Sequence, residues 1–139
     1  MSYYARIGGY LKISPPLKWS EIRNSEFFPD TMASTYGPSI ALYAEREDVE
    51  TDEGVSTLIT SNSAGPVTDT DFDCRNLGKD VESLASVMKE LGHQVEGVLI
   101  VQPRDYGDGG IWRVISDADG VRKEFAKLQW PDGSEVELP

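Results

Sequence analysis

The sequence predicts one α+β domain over residues 1–139: a ferredoxin-like β-α-β-β-α-β antiparallel sheet with two helices on one face, extended by a C-terminal β-meander. Three observations carry this prediction. Residues 3–14 alternate with a period of two, as a half-buried strand does. Leu77, Val81, Leu84, Met88 and Leu91 recur as one continuous helical stripe. Asp117-Ala118-Asp119-Gly120 separates two apolar runs and has the composition of a hairpin turn.

In the first strand, Tyr3, Ala5, Ile7, Gly9, Leu11 and Ile13 share one face, and Tyr4, Arg6, Gly8, Tyr10, Lys12 and Ser14 share the other. Gly8-Gly9 in its middle predicts a bulge or bend. Pro15-Pro16 ends it, because neither residue has an N–H to give to a ladder. Lys18 to Asn24 reads as a short helix with Trp19, Ile22 and Phe27 facing inward, and residues 30–39 read as a loop. Ser39 to Glu47 alternates again, with Ile40, Leu42 and Ala44 on one side and Ala41 and Tyr43 on the other. Val55 to Thr60 is its hairpin partner across Asp48–Gly54, the turn closing at Asp52-Glu53-Gly54.

The second helix has Asp73 or Asn76 as its expected N-cap and Gly92 at its C′ position. Burying its five-residue stripe stabilises the fold by roughly 7–15 kcal/mol as an upper bound, at about 1.5–3 each. That is enough to hold the helix on a sheet. Gln94 to Gln102 is apolar on both sides and predicts a central strand covered on more than one face. Ile111–Ser116 and Val121–Trp130 form the meander's hairpin, Trp130-Pro131-Asp132-Gly133 turns, and Glu135–Leu138 adds a terminal strand.

Composition narrows the function. A chain of 139 residues buries about two-thirds of its unfolded surface without staples. Twenty-four acidic residues against thirteen basic ones, a net charge of −11, oppose direct contact with nucleic acid or anionic membrane. The same charge suits a protein that imitates a polyanion in another protein's basic groove. Cys74 is the single cysteine, which excludes an internal disulfide and fits a reducing compartment. With no signal-peptide pattern at the N-terminus and no apolar run near about 18 residues, the expectation is a soluble cytoplasmic protein.

The candidate chemistry is sparse. Asp69-Thr70-Asp71-Phe72-Asp73 opens like a calcium loop, but Cys74 stands where glycine is needed and Asp80 where glutamate is, so no metal is expected. His93 follows a helix end and reads as a post-cap loop residue. Cys74 and His93 flank one helix and lie roughly 25 Å apart at about 1.5 Å per residue, which excludes a dyad within one chain. The loop Pro103–Gly110 carries Arg104 and Tyr106 on a glycine-rich frame. It lacks the Lys-Ser/Thr ending of a phosphate loop and no cofactor is expected, while Arg and Tyr are the types that anchor protein contacts. Tyr4 and Tyr10, with Arg6 and Lys12, share the arrangement of the stacking face of RNA-recognition domains but not its sequence motif.

Tyr3-Tyr4-x-Arg6-x-x-Gly9, Pro15-Pro16-Leu17, Thr51-Asp52-Glu53-Gly54, Ile111-Trp112-Arg113 and Trp130-Pro131-Asp132-Gly133 together resemble a small domain family of unknown function from actinobacteria and their phages. The resemblance spans most of the chain. It implies a single domain and a phage setting, and no mechanism.

No catalytic motif of known mechanism is present. The expectation is a non-catalytic acidic protein-binding module, encoded by a phage or mobile element and inhibiting a host defence or nucleic-acid enzyme. Its contact residues are Glu45, Glu47, Asp48, Glu50, Asp52 and Glu53, with Tyr43, Arg104 and Tyr106 as anchors. Two alternatives belong to other classes. One is a small-molecule or nucleotide-signal sponge with a pocket near the 103–110 loop, using Arg104, Tyr106 and Arg113. The other is a structural subunit of a virion or complex. Homo-oligomerisation is compatible with each.

Overall fold

Alternation in the first strand becomes burial. In the computed structural model, which describes residues 4–28, 38–67, 72–103 and 110–136, strand β1 (Tyr4–Ser14) buries Ala5, Ile7, Leu11 and Ile13 and exposes Arg6, Tyr10 and Lys12. The chain continues through α1 (Trp19–Arg23), β2 (Ile40–Thr51), β3 (Gly54–Pro66), β4 (Phe72–Asp73), α2 (Leu77–Glu90), β5 (Gln94–Pro103), β6 (Trp112–Asp117) and β7 (Gly120–Phe125). Six strands stand in the order β2-β3-β1-β5-β6-β7, with β4 pairing beside β1. Every pairing among the described residues is antiparallel. The molecule is α+β, and its meander extends the sheet at the β5 edge rather than curling over the open face.

One apolar cluster joins Ala5, Ile7, Leu11 and Ile13 of β1 to Leu17, Ile22 and Phe27 around α1, Leu42 and Ala64 of the β2–β3 hairpin, and Leu77, Val81, Leu84 and Met88 of α2. Val95, Leu99 and Val101 of β5 and Trp112 and Val114 of β6 complete it. The four α2 residues are fully enclosed, whereas Leu91, the fifth of the predicted stripe, is 47% exposed because it lies at the helix's C-cap. Asn76 is the N-cap by position without a side-chain cap bond, and Asp73 sits in β4 opposite Tyr4. Asp80, in the first turn, accepts from the Ser39 N–H at 2.8 Å and from its hydroxyl, tying α2 to the start of β2. Asn62 is buried, and its Oδ1 accepts from the Leu17 N–H.

The predicted bulge at Gly8-Gly9 is absent. β1 and β5 stay in register from Ala5↔Pro103 to Ser14↔Gln94. Instead the two strands approach too closely for side chains at two points. A Cβ on Gly9 (φ 92°) would lie 2.2 Å from the Val98 carbonyl oxygen, and one on Gly97 (φ 151°) would lie 2.4 Å from that of Tyr10.

Other boundaries also move. β2 runs on to Thr51 and β3 starts at Gly54, so the predicted Asp48–Gly54 loop contracts to a two-residue turn at Asp52-Glu53. β5 is interior to the sheet but covered on one face: Ile100 is 50% exposed on the other. β7 ends at Phe125, not Trp130, and Leu128 and Trp130 are exposed. Of the predicted last strand, Glu135 bridges to Gln129 across the turn in which the Gly133 N–H donates to the Trp130 carbonyl, and residues 137–138 lie outside the described residues.

Candidate functional site

The β2–β3 hairpin is two structures end to end. Its base, up to Ala44 and from Asn62 onward, lies on the core and against β1 at Leu11↔Ala64, Lys12↔Ser63 and Ile13↔Asn62. Its distal half extends past the end of β1 as a two-stranded arm. The register shifts where the base meets the arm, Glu45 pairing Ser61 and Arg46 pairing Ile59, so Thr60 is the extra residue of a bulge. The Thr60 hydroxyl donates to the Glu45 carbonyl at 3.2 Å there.

All six predicted carboxylates are on this arm. Alternation along β2 sends Glu45 and Glu47 to the open face and Asp48 and Glu50 to the helix side, with Asp52 and Glu53 at the tip. The acids therefore wrap the arm instead of forming one flat patch. Arg46 is the arm's lone cation, and its guanidinium lies over the Trp19 ring at 5.1 Å, with Trp19 edge-on to Phe28 at 5.7 Å. Among the described residues no cation forms an ion pair with any of the six carboxylates. The Thr57 hydroxyl donates to Asp48 across the strands at 3.1 Å, and Thr51 donates to the Gly54 carbonyl at 2.9 Å.

Apolar side chains interleave with these charges. Val49 is 40% exposed, Leu58 53% and Val55 68%. Tyr43, at the base, keeps its ring half-exposed while its hydroxyl donates to the Pro66 carbonyl at 3.0 Å. It shares a shallow recess of about 550 Å³ with Tyr10, Ser63 and Gly65, opened where β3 leaves β1 after Ala64. Arg104 and Tyr106 lie outside the described residues. Arg113 faces the open side of the sheet and donates to Glu124 at 2.8 Å.

Sequence reasoning placed the acids but missed the arm. Carboxylates are poor strand formers, so 48–53 read as loop. The usable signal lay on the other strand: Gly54–Pro66 contains no charged residue, and Val, Thr and Ile make up most of Val55–Thr60.

His93 is more constrained than a loop residue. Its Nδ1 donates to the Pro15 carbonyl at 2.7 Å, and its Nε2 meets both oxygens of Glu21 at 3.3 Å. Glu21 also accepts from the Lys18 N–H at 2.9 Å, half of a capping box for α1. That backbone bond is the largest influence and, against the opposing effect of burial and with weaker help from His93, it holds the Glu21 carboxyl below its ordinary value of 4.5. On the β6–β7 turn, the bidentate Arg122 and the Asp119 N–H do the same for Asp117. Asp69 and Asp71 of the calcium-like run lie outside the described residues. Among those described, no group of three or more His, Cys, Asp or Glu is placed to hold a metal ion, and no helix is long and apolar enough to cross a membrane.

A model of a family of unknown function, DUF6205, matches residues 1–139, and the chain belongs to that family. No curated protein and no solved structure matches it.

Proposed function

We propose that this DUF6205 member is a non-catalytic protein-binding module whose working element is the acidic β2–β3 arm. The observation that carries the reading is the arm's exposure on both faces. A two-stranded ribbon with neither face covered is marginal in water, and this one also sets unpaired carboxylates close together. Such an element is expensive to keep without a partner. A basic groove supplies what it lacks: cations for Glu47, Asp48, Glu50 and Asp52, and apolar cover for Val49, Val55 and Leu58. A nucleic-acid enzyme of a host cell, occupied by a phage-encoded inhibitor, is the concrete form of such a pair. On the fold, we read β1-α1-β2-β3-α2-β5 with the order β2-β3-β1-β5 as a ferredoxin-like unit to which β6 and β7 are added.

The test is capture of partners from a host lysate by the wild-type chain and by the triple variant Glu47→Lys, Asp48→Lys, Glu50→Lys. The wild type is expected to retain a partner whose recovery falls as salt rises. The triple variant, folded by circular dichroism, is expected to lose it. Equal recovery by both chains, or none by either at low and moderate salt, would refute the proposal.

A further inference from the structure

The arm has two edges of opposite character. β2 presents Glu45, Arg46, Glu47, Asp48 and Glu50 along its length, and charges of this kind keep edge strands from pairing. β7, at the far end of the sheet, is blunted the same way by Arg122, Lys123 and Glu124. β3 is different. It carries no charge from Gly54 to Pro66 in a chain that is 27% charged. β1 covers its outer edge only opposite Asn62, Ser63 and Ala64, so ahead of the bulge the edge Val55-Ser56-Thr57-Leu58-Ile59 has no strand beside it among the described residues.

We propose that this edge pairs with the same edge of a second copy of the chain, antiparallel about a two-fold axis at Thr57. Five residues span roughly 17 Å, the length of an ordinary strand. The register sets Val55 against the other copy's Ile59 and Thr57 against its own counterpart, so β-branched residues meet at these positions, with the neutral pair Ser56–Leu58 between them. A two-fold contact must complement itself, and this segment does. Self-complementarity names the occupant, and charge selects the place of contact. Copies of net charge −11 repel one another over most of their surface, and the neutral β3 edge is where they meet with least repulsion. The product is a four-stranded sheet, β2-β3-β3-β2, with the carboxylate-bearing strands outermost. It covers the free β3 edges and leaves the acids accessible. The inference stands independently of the partner proposed above.

Sedimentation velocity at moderate salt across a micromolar-to-millimolar series tests it. The mass is expected to rise to twice 15.4 kDa. Thr57→Lys sets two ammonium groups at the axis, while Asp48 across the hairpin can still pair with each lysine. It is expected to hold the chain at the single-copy mass. Should that variant fail to fold, Thr57→Cys under mild oxidation is expected to link two copies through residue 57, located by peptide mapping. A single-copy mass at every concentration, a twofold mass that survives in folded Thr57→Lys, or capture of another protein's strand by a chain that stays monomeric would overturn the proposal.

Discussion

Gly8 and Gly9 are neighbours with opposite duties. Gly9 is pressed against the Val98 carbonyl at a positive φ, whereas a Cβ on Gly8 would meet nothing within 4 Å. Gly9→Ala is therefore expected to lower stability by about 2 kcal/mol or more, combining backbone strain with a clash that only a shift of β5 relieves. Gly97→Ala meets the Tyr10 carbonyl in the same way and should cost as much. Gly8→Ala should stay within about 0.5 kcal/mol of wild type. Urea midpoints of the three variants check this, and equal losses at Gly8 and Gly9 would contradict it. The glycine doublet was visible in the sequence, but its reason was not. A bulge is inferred from one strand, while a close approach is a property of two. Leu91 shows the same limit, since helical spacing puts it in the stripe and its place at the helix's C-cap leaves it exposed.

The elements differ in how far their sequences announce them. β1 and α2 were legible because burial on one face imposes a period, and that period survives in Ala5, Ile7, Leu11 and Ile13 and in Leu77, Val81, Leu84 and Met88. The arm has little burial to impose one, so its acids and turn residues spoke louder than its pairing. The link between α1 and the start of β5 through Glu21 and His93 was hidden for another reason: it joins residues 72 positions apart. It makes a prediction about pH. Because the folded state holds the Glu21 carboxyl below 4.5, its contribution is fully present above that value and is lost as pH falls through the folded-state value. The difference in urea midpoint between wild type and Glu21→Gln should hold steady above pH 4.5 and shrink below it. A difference that stays constant into acid would contradict this assignment.

At the scale of the molecule, a net charge of −11 first suggests a diffuse polyanion. The fold sorts it. Asp117 is paired with Arg122, Glu124 with Arg113, and Asp132 turns on Ser134, which is the ordinary chemistry of hairpins and turns. The open face of β1 carries Arg6 and Lys12 without an acid. Among the described residues, the acids without an ion pair are concentrated on the arm; the class of the fold, its main helix and the cluster of acids at 45–53 were legible in the sequence, and their pairing into an arm was not. On the function proposed above the arm is the contact element, and the core is expected not to depend on it. Replacing residues 47–58 by Asn-Gly between Arg46 and Ile59 tests that directly, since a two-residue turn can close the shortened hairpin while Arg46 stays over Trp19. The shortened chain should unfold within about 1 kcal/mol of wild type, as a solvent-exposed element should, and should lose the partner that the full chain retains. A shortened chain that still binds, or whose core no longer folds, would contradict the account.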